Sequence, residues 1–397
     1  MTKLDELIQE LCPDGVKYLP IPELFITRNG YTPSKANNEF WENGTIPWFR
    51  MEDIRENGRI LTTATQYVSE KAVKGKLFPA DSIIIATSAT IGEHALIKVP
   101  SLANQRFTYL TLKDEFKDCV DMMFVFYYCF RLDEYCKSHL NQGNFASVDM
   151  KQFAAFKFPV PPLPVQREIV RILDNFTELT AELTAELTAE LTARKKQYEF
   201  YRDKLLTFGD VRGGATSDVV WKTLAEIADI STGSSNTDDA VKDGCYPFFV
   251  RSQQPLAKDE YEYDEEAIIT AGDGVGVGKV FHYINGKYAL HQRAYRIHPA
   301  TDGLLGKYLY HYFVATFPKY IGQQMYQGSV PSIRRPMLNK FQVAIPSLDV
   351  QSRIVNVLDN FDAICSDLKI GLPAEIEARQ KQYEYYRDKL LSFEEKI

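Results

Sequence analysis

Apolar residues fall at Ile169, Ile172, Phe176, Leu179 and Leu183, spaced three and four apart, and the rhythm resumes at Tyr198, Tyr201, Leu205 and Phe208. That spacing is a helical heptad seam, and no proline or glycine interrupts it between Gln166 and Phe208. Leu183, Leu187 and Leu191 sit four apart, a stutter that locally unwinds a supercoil. A second seam runs through Ile354, Val357, Phe361, Ile364, Leu368, Leu372 and Ile376, then Tyr383, Tyr386, Leu390 and Phe393. Gly371 and Pro373 interrupt this copy and predict a helix break. Asp174-Asn175 and Asp359-Asn360 have capping chemistry and predict a second helix start in each copy. The simplest burial for two such seams is an antiparallel pair, with residues 198–208 packed on residues 383–393.

The two seams belong to an internal repeat. Residues 161–208 and 346–393 align at a constant offset of 185 without a gap, and 27 of the 48 positions are identical. Shared helical composition does not produce that identity, so the chain is a duplicated unit. The flanking blocks align more loosely: residues 46–50 with 246–251, Asn104-Gln105-Arg106 with His291-Gln292-Arg293, and 143–148 with 328–333. Within the blocks, residues 82–87 and 266–270 are short β-branched apolar runs, hence buried strands. Residues 121–135 and 304–317 are aromatic-rich helix candidates, and turn residues crowd 29–38 and 231–239. The expected fold class is α+β: two similar mixed α/β globular domains separated by a pair of long antiparallel coiled-coil helices, with an internal pseudo-two-fold repeat. The expected boundaries are an N-terminal helix at 1–12, a first domain at 13–160, a helical spacer at 161–208, a second domain at 209–345 and a second spacer at 346–397.

Charge qualifies the picture. Forty-six basic and 53 acidic residues leave a net −7, which argues mildly against a nucleic-acid partner. Residues 13–160 nevertheless sum to zero and residues 210–345 to −1, so a DNA surface would be a patch on a balanced domain or be shared with a partner. No apolar run is long enough to span a membrane, and the first residues lack an apolar signal core. The six cysteines form no Cys-x-x-Cys pair and read as reduced thiols of a cytoplasmic protein. The six histidines show no metal-ligand spacing, so no metal site is expected.

The segment 271–280 resembles a phosphate loop. Asp273, however, stands where a Walker A needs its first glycine, and Val280 replaces the magnesium-binding hydroxyl. The segment runs into a predicted strand rather than a helix, which also excludes a dinucleotide fingerprint. Two readings stay open for Gly274, Gly276 and Gly278: a turn that brings backbone close to a phosphate, or a structural hairpin. No nucleophile elbow, zincin helix, nuclease carboxylate set or adenine-methyltransferase tetrapeptide is present, so no catalytic residue is assigned. Candidate recognition residues are Tyr67, Ser88, Thr90, Asn104, Gln105, Arg106, Asn141, Gln142 and Asn144 in the first block. The second block offers Arg251, Ser252, Gln253, Gln254, His291, Gln292, Arg293, Gln323, Gln324, Tyr326, Gln327, Arg334 and Arg335. Asn, Gln and Arg are the side chains that pair bidentately with adenine and guanine edges.

Two copies of Leu-x-x-Gln-x-x-Ile-x-x-x-Leu-Asp-x-Phe follow the variable blocks. They are Leu163, Gln166, Ile169, Leu173, Asp174 and Phe176, then Leu348, Gln351, Ile354, Leu358, Asp359 and Phe361. This arrangement resembles the specificity (S) subunits of Type I restriction–modification systems. The Thr-Ala-Glu-Leu repeats across 180–191 and the paired Tyr-Arg-Asp-Lys-Leu-Leu at 201–206 and 386–391 resemble the IC-type group. The resemblance implies a non-catalytic subunit with two target-recognition domains, each reading one half of a bipartite asymmetric site on double-stranded DNA. It also implies that the helices space the domains and dock two modification (M) subunits, through positions such as Leu179, Leu183, Leu187, Leu191, Tyr198, Tyr201, Leu205, Tyr383, Tyr386 and Leu390. S-adenosylmethionine, ATP and magnesium would then belong to the M and restriction (R) partners, with no cofactor in this chain. The competing readings are a structural coiled-coil adaptor and a fused methyltransferase or nuclease.

Overall fold

The computed structural model describes residues 2–141, 146–208, 219–323, 331–366 and 371–396. The chain divides into two units, Met1–Thr184 with Ala378–Ile397, and Ala185–Glu377.

The first unit opens with α1 (Lys3–Leu11), β1 (Lys17–Pro20), the single turn α2 (Ile21–Leu24) and β2 (Phe25–Asn29). Next come β3 (Ile46–Phe49), α3 (Met51–Asn57), β4 (Ile60–Leu61), β5 (Tyr67–Val68), β6 (Ser82–Ala86), β7 (His94–Ile97), β8 (Leu102–Ala103) and β9 (Phe107–Leu112). Helices α4 (Met122–Ser138) and α5 (Met150–Ala155) and strand β10 (Lys157–Val160) complete the block. The 44-residue α6 (Leu163–Leu206) starts in this unit and ends in the second. The second unit continues with β11 (Val220–Thr223), α7 (Leu224–Ile227), β12 (Ala228–Thr232), β13 (Tyr246–Phe249), β14 (Leu256–Lys258), β15 (Tyr263–Ala271), β16 (Phe281–Leu290) and β17 (Ala294–Pro299). Helix α8 (Gly306–Gly322), the short α9 (Arg335–Asn339), β18 (Gln342–Ile345) and α10 (Leu348–Ser366) follow, and α11 (Leu372–Leu390) starts here and ends in the first unit.

The two blocks share one topology. The second has a six-stranded sheet in the order β12-β17-β15-β16-β13-β14, and the first has β2-β9-β6-β7-β4 beside β5-β3-β8. Phe249 pairs in parallel with Leu290 at the end of β16, and Phe49 pairs in parallel with Ala103 of β8. Strand β16 is thus one long strand whose counterpart in the first block is broken into β7 and β8, with β4 filling the place beside β7. An antiparallel ribbon closes each block, Lys17 facing Val160 and Val220 facing Ile345. The run at Ile83, Ile84 and Ile85 is fully buried, as a central strand covered on both faces requires. Helix α4 begins where Asp121 accepts the Met123 amide at 2.8 Å, and it buries six consecutive residues from Phe124 to Cys129.

The repeated helices are tied to these blocks by the same bonds in both copies. The Gln166 carboxamide is buried; it accepts the Asp121 amide at 2.8 Å and donates to the carbonyls of Cys119 (2.8 Å) and Pro161 (2.6 Å). Gln351 accepts the Leu305 amide at 2.9 Å and donates to Gly303 (2.9 Å) and Pro346 (2.8 Å). One side chain in each copy therefore satisfies both the N-terminus of the aromatic helix and the start of the spacer helix. Two turns further on, Asp174 accepts the Tyr127 hydroxyl at 2.7 Å, while Asp359 accepts Lys307 at 2.9 Å and the His311 ring at 2.8 Å. These carboxylates are not helix caps, contrary to the sequence expectation. Helices α6 and α10 run straight through them, because the tertiary partners on α4 and α8 compete successfully for the side chains.

The helices pair antiparallel within each unit. In the first unit Phe176 meets Tyr386 edge-on and Thr177 bonds Tyr383 through their hydroxyls at 2.9 Å. In the second, Tyr198 and Tyr201 both pack on Phe361. Each tyrosine segment is thus partnered within its own unit by a stretch other than its counterpart, which corrects the sequence expectation. An antiparallel register sends like segments of a repeat to opposite ends, so each tyrosine segment packs on the Asp-Asn-Phe of the other copy. The expected interruption of the second copy is present: α10 ends at Ser366 and α11 begins at Leu372. The seam is only partly covered. Leu187 is buried and Leu183, Leu191, Leu205 and Leu390 are half-buried, whereas Leu179 is 60% exposed and Tyr201 and Tyr386 are about 40% exposed.

Residues 387–396 complete the first unit. Val16 donates its amide to Glu394 at 2.9 Å and accepts the Lys396 amide at 2.9 Å. The Tyr18 hydroxyl reaches the Phe393 carbonyl, Arg131 reaches Asp388 and Ser392, and Leu391 is fully buried in the first unit's core.

Candidate nucleic-acid interface

One corner of each block gathers three chain segments through matched backbone bonds. In the first block the β6–β7 loop, the β8–β9 turn and the stretch before α5 converge. Thr87 donates to Arg106 at 3.0 Å, Val148 to Thr87 at 2.9 Å and Ala89 to Ala146 at 3.2 Å. In the second, Gly272 donates to Arg293 at 2.8 Å, Ile333 to Gly272 at 2.7 Å and Gly274 to Pro331 at 2.9 Å. Ser88 bridges Ser147, and Asp273 bridges Ser332. The corner is therefore one backbone design used twice, with Ser88 in the first block where the second has Asp273.

The aligned tripeptides are the turn of this corner. Asn104 accepts the Arg106 amide at 3.0 Å through Oδ1, and His291 accepts the Arg293 amide at 3.0 Å through Nδ1. Each residue also donates its own amide to the β3 or β13 phenylalanine carbonyl, at 2.9 Å for both Asn104–Phe49 and His291–Phe249. His291 is buried, and burial, reinforced by the nearby Arg251 and Arg293, pushes its imidazole below the ordinary value, which keeps Nδ1 an acceptor. Asn104 and His291 shape the turn; Gln105 and Arg106, or Gln292 and Arg293, are the exposed pair it displays. Gln105 and Gln292 are in turn held by Thr32 and Asn236.

The turn sits tightly on its neighbour. A Cβ at Gly30 would lie 2.4 Å from the Ala103 carbonyl oxygen, and one at Gly233 1.9 Å from that of Leu290. Gly233→Ala is expected to destabilise the chain by about 1–3 kcal/mol through overpacking. Gly303→Ala, where nothing lies within 4 Å, is the control. Urea unfolding that finds the two variants equally stable would contradict this packing.

The glycine-rich segment is a compact β15–β16 connection. Gly274 and Gly278 have positive φ, +83° and +67°, and the amides of Val277, Lys279 and Val280 are used inside the turn. A Cβ at Gly276 would lie 2.5 Å from the Arg251 carbonyl oxygen, so this glycine makes room for Arg251. The segment leads directly into β16, as expected for a hairpin and not for a nucleotide-binding helix.

Among the other candidates, Ser88 and Thr90 are half-buried in the β6–β7 loop, and Asn141 holds Ser147 and Val148. Gln253, Arg334 and Arg335 are exposed, as are Ser252, Gln254 and Gln323. Tyr67 lies on edge strand β5 opposite Pro47, outside the corner. Gln142, Asn144, Gln324, Tyr326 and Gln327 lie outside the described residues. Asp273 was overlooked in the sequence as a failed glycine. It binds Arg251 at 2.7 Å and Arg293 at 3.2 Å, partners 22 and 20 residues away that no local pattern announces. Among the described residues no group of three or more His, Cys, Asp or Glu side chains is placed to hold a metal ion, and no helix is long and apolar enough to cross a membrane.

The family model for the Type I restriction modification DNA specificity domain matches twice, over residues 13–193 and 216–378. The chain belongs to that family. It is a specificity subunit, the non-catalytic DNA-recognition component of a Type I restriction system. The specificity subunit of the Type I restriction enzyme EcoprrI of Escherichia coli is 43% identical over 383 residues, covering 93% of each chain. That of EcoR124I/EcoR124II, also from Escherichia coli, is 33% identical over 64% of this chain and 68% of its own. The fold is shared with a chain of a solved type I R-M system (TM-score 0.65, 16% identity, covering 96% and 98%) and with the HsdS subunit of Thermoanaerobacter tengcongensis (TM-score 0.56, 15% identity, covering 96% and 97%).

Proposed function

We propose that each block of this specificity subunit reads one half of a bipartite, asymmetric DNA site. In this reading the chain directs adenine methylation by two M subunits and restriction by R subunits. The observation that carries it is the duplicated corner: the backbone bonds are the same and both display a Gln–Arg pair, while the residues around that pair differ, Ser88 standing where the second block has Asp273 and Asn104 where it has His291. That is what two readers of different sequences require, since hydrogen bonds to base edges carry the sequence information. The partly uncovered seam at Leu179, Tyr201 and Tyr386 suits docking of M subunits. S-adenosylmethionine would be held by M, and ATP with magnesium by R. The test is replacement of residues 13–160 by another recognition block, followed by mapping of methylated adenines in a host carrying the system. One half-site is expected to change and the other to persist. Change of both half-sites, or no methylation dependent on this chain, overturns the proposal. Gel filtration of the co-expressed subunits is expected to give two M per S.

A further inference from the structure

The second block has a feature that the first lacks. Asp273 spreads its two carboxylate oxygens between two loops: Oδ1 accepts Arg251 Nη1 at 2.7 Å, and Oδ2 accepts Arg293 Nη1 at 3.2 Å. The carboxylate is anchored from behind, because Asp273 bridges Ser332 and its neighbours Gly272 and Gly274 bond Arg293 and Pro331 through the backbone. The arginines reach outward, with side chains 39% and 60% exposed against 26% for Asp273. In the first block Ser88 makes the same bridge to Ser147, so the fold of the corner needs no carboxylate there. Among the described residues Arg106, the counterpart of Arg293, is in no ion pair with a carboxylate.

We propose that Asp273 is a positioning residue that presents Arg251 and Arg293 as a guanine-reading pair, so that the half-site of the second block contains guanine. This rests on the DNA-reading role given above. Each recorded side-chain contact uses a single Nη1, and a guanidinium fork carries five N–H groups, which leaves donors for guanine O6 and N7. An arginine already held in place loses less rotamer freedom on binding than a free one. The trio keeps a net charge of +1, compatible with a duplex, whereas an isolated surface ion pair would contribute little to stability and gives no reason for two loops to converge on one carboxylate.

The test uses the S subunit co-purified with its M subunits. The half-site that persists when residues 13–160 are exchanged belongs to the second block. Duplexes carry 7-deazaguanine, which lacks the N7 acceptor, at each guanine of that half-site in turn. At one or two positions the wild-type complex is expected to bind about ten- to a hundredfold more weakly. The same duplexes should make little further difference to Arg293→Ala or Arg251→Ala. Asp273→Asn is expected to lose part of the discrimination while binding mixed DNA slightly more tightly, because a negative charge has left the surface; a merely misfolded corner would weaken both. A half-site without guanine on either strand overturns the inference. So does an Arg293→Ala variant that weakens all sequences equally and lowers the salt slope by about one unit, the behaviour of a phosphate contact. If the wild-type complex shows no preference for its methylated site over mixed DNA, the DNA-reading role fails first and this inference with it.

Discussion

Replacing Gln166 or Gln351 by leucine is expected to lower the unfolding free energy of the chain by about 3 kcal/mol or more in each case. Each carboxamide makes three hydrogen bonds, all to backbone groups. Removing it leaves one amide and two carbonyls with lost partners, and a buried group so stranded costs about 1–3 kcal/mol. Leucine fills the space, so the loss measures the polar bonds rather than a cavity. The bonds correspond one to one between copies, and the two losses should therefore match. Tyr127→Phe, which removes only a hydroxyl from the part-buried contact with Asp174, should cost about 1 kcal/mol. Urea unfolding with a common slope is the measurement. A loss below about 1 kcal/mol for either glutamine, or widely unequal losses, would show that these bonds do not anchor the helices.

Deletion of residues 184–187, one Thr-Ala-Glu-Leu unit, is expected to shorten the spacer between half-sites by one base pair, two at most, and to leave both half-site sequences unchanged. Four helical residues span about 6 Å and turn about 40° beyond a full circle. A base pair adds about 3.4 Å along the duplex. Leu187 is buried, and the deletion keeps a leucine at each seam position because every unit ends in one. Mapping methylated adenines in a host carrying the deletion decides it: an active enzyme with the old spacing means that these repeats do not measure distance.

The parts of this fold legible in the sequence were those set by local pattern. The isoleucine run at 83–85 announced β6, and the aromatic runs announced α4 and α8. The gapless repeat announced that Gln166 and Gln351 do the same job, though not which job. What the sequence hid depends on partners distant along the chain. Asp174 and Asp359 look like caps until Tyr127, Lys307 and His311 are seen beside them. The tyrosine segments look like mutual partners until the antiparallel register is known. At the corner, the alignment of Asn104 with His291 was visible, but not that an amide oxygen and a ring nitrogen accept the same turn amide. Asp273 could be recognised only once Arg251 and Arg293, 22 and 20 residues away, were placed next to it.

The backbone bonds of Val16 to Glu394 and Lys396 bear on the order in which the chain is completed on the ribosome. Domains generally fold as units, the N-terminal one first as synthesis proceeds at about 5–20 residues per second. Here the unit that begins first is the last to have all its residues. The unit Ala185–Glu377 is continuous in sequence and has all its residues in hand before the other does. The unit that begins at Met1 lacks Leu391 of its core, and the partners of Val16, Tyr18 and Arg131, until translation has passed residue 394. At those rates some two hundred further residues, about ten seconds or more of synthesis, separate the making of that block from the arrival of Leu391. The first unit of a nascent specificity subunit thus has its full set of core residues only when the last stretch of the chain has been made.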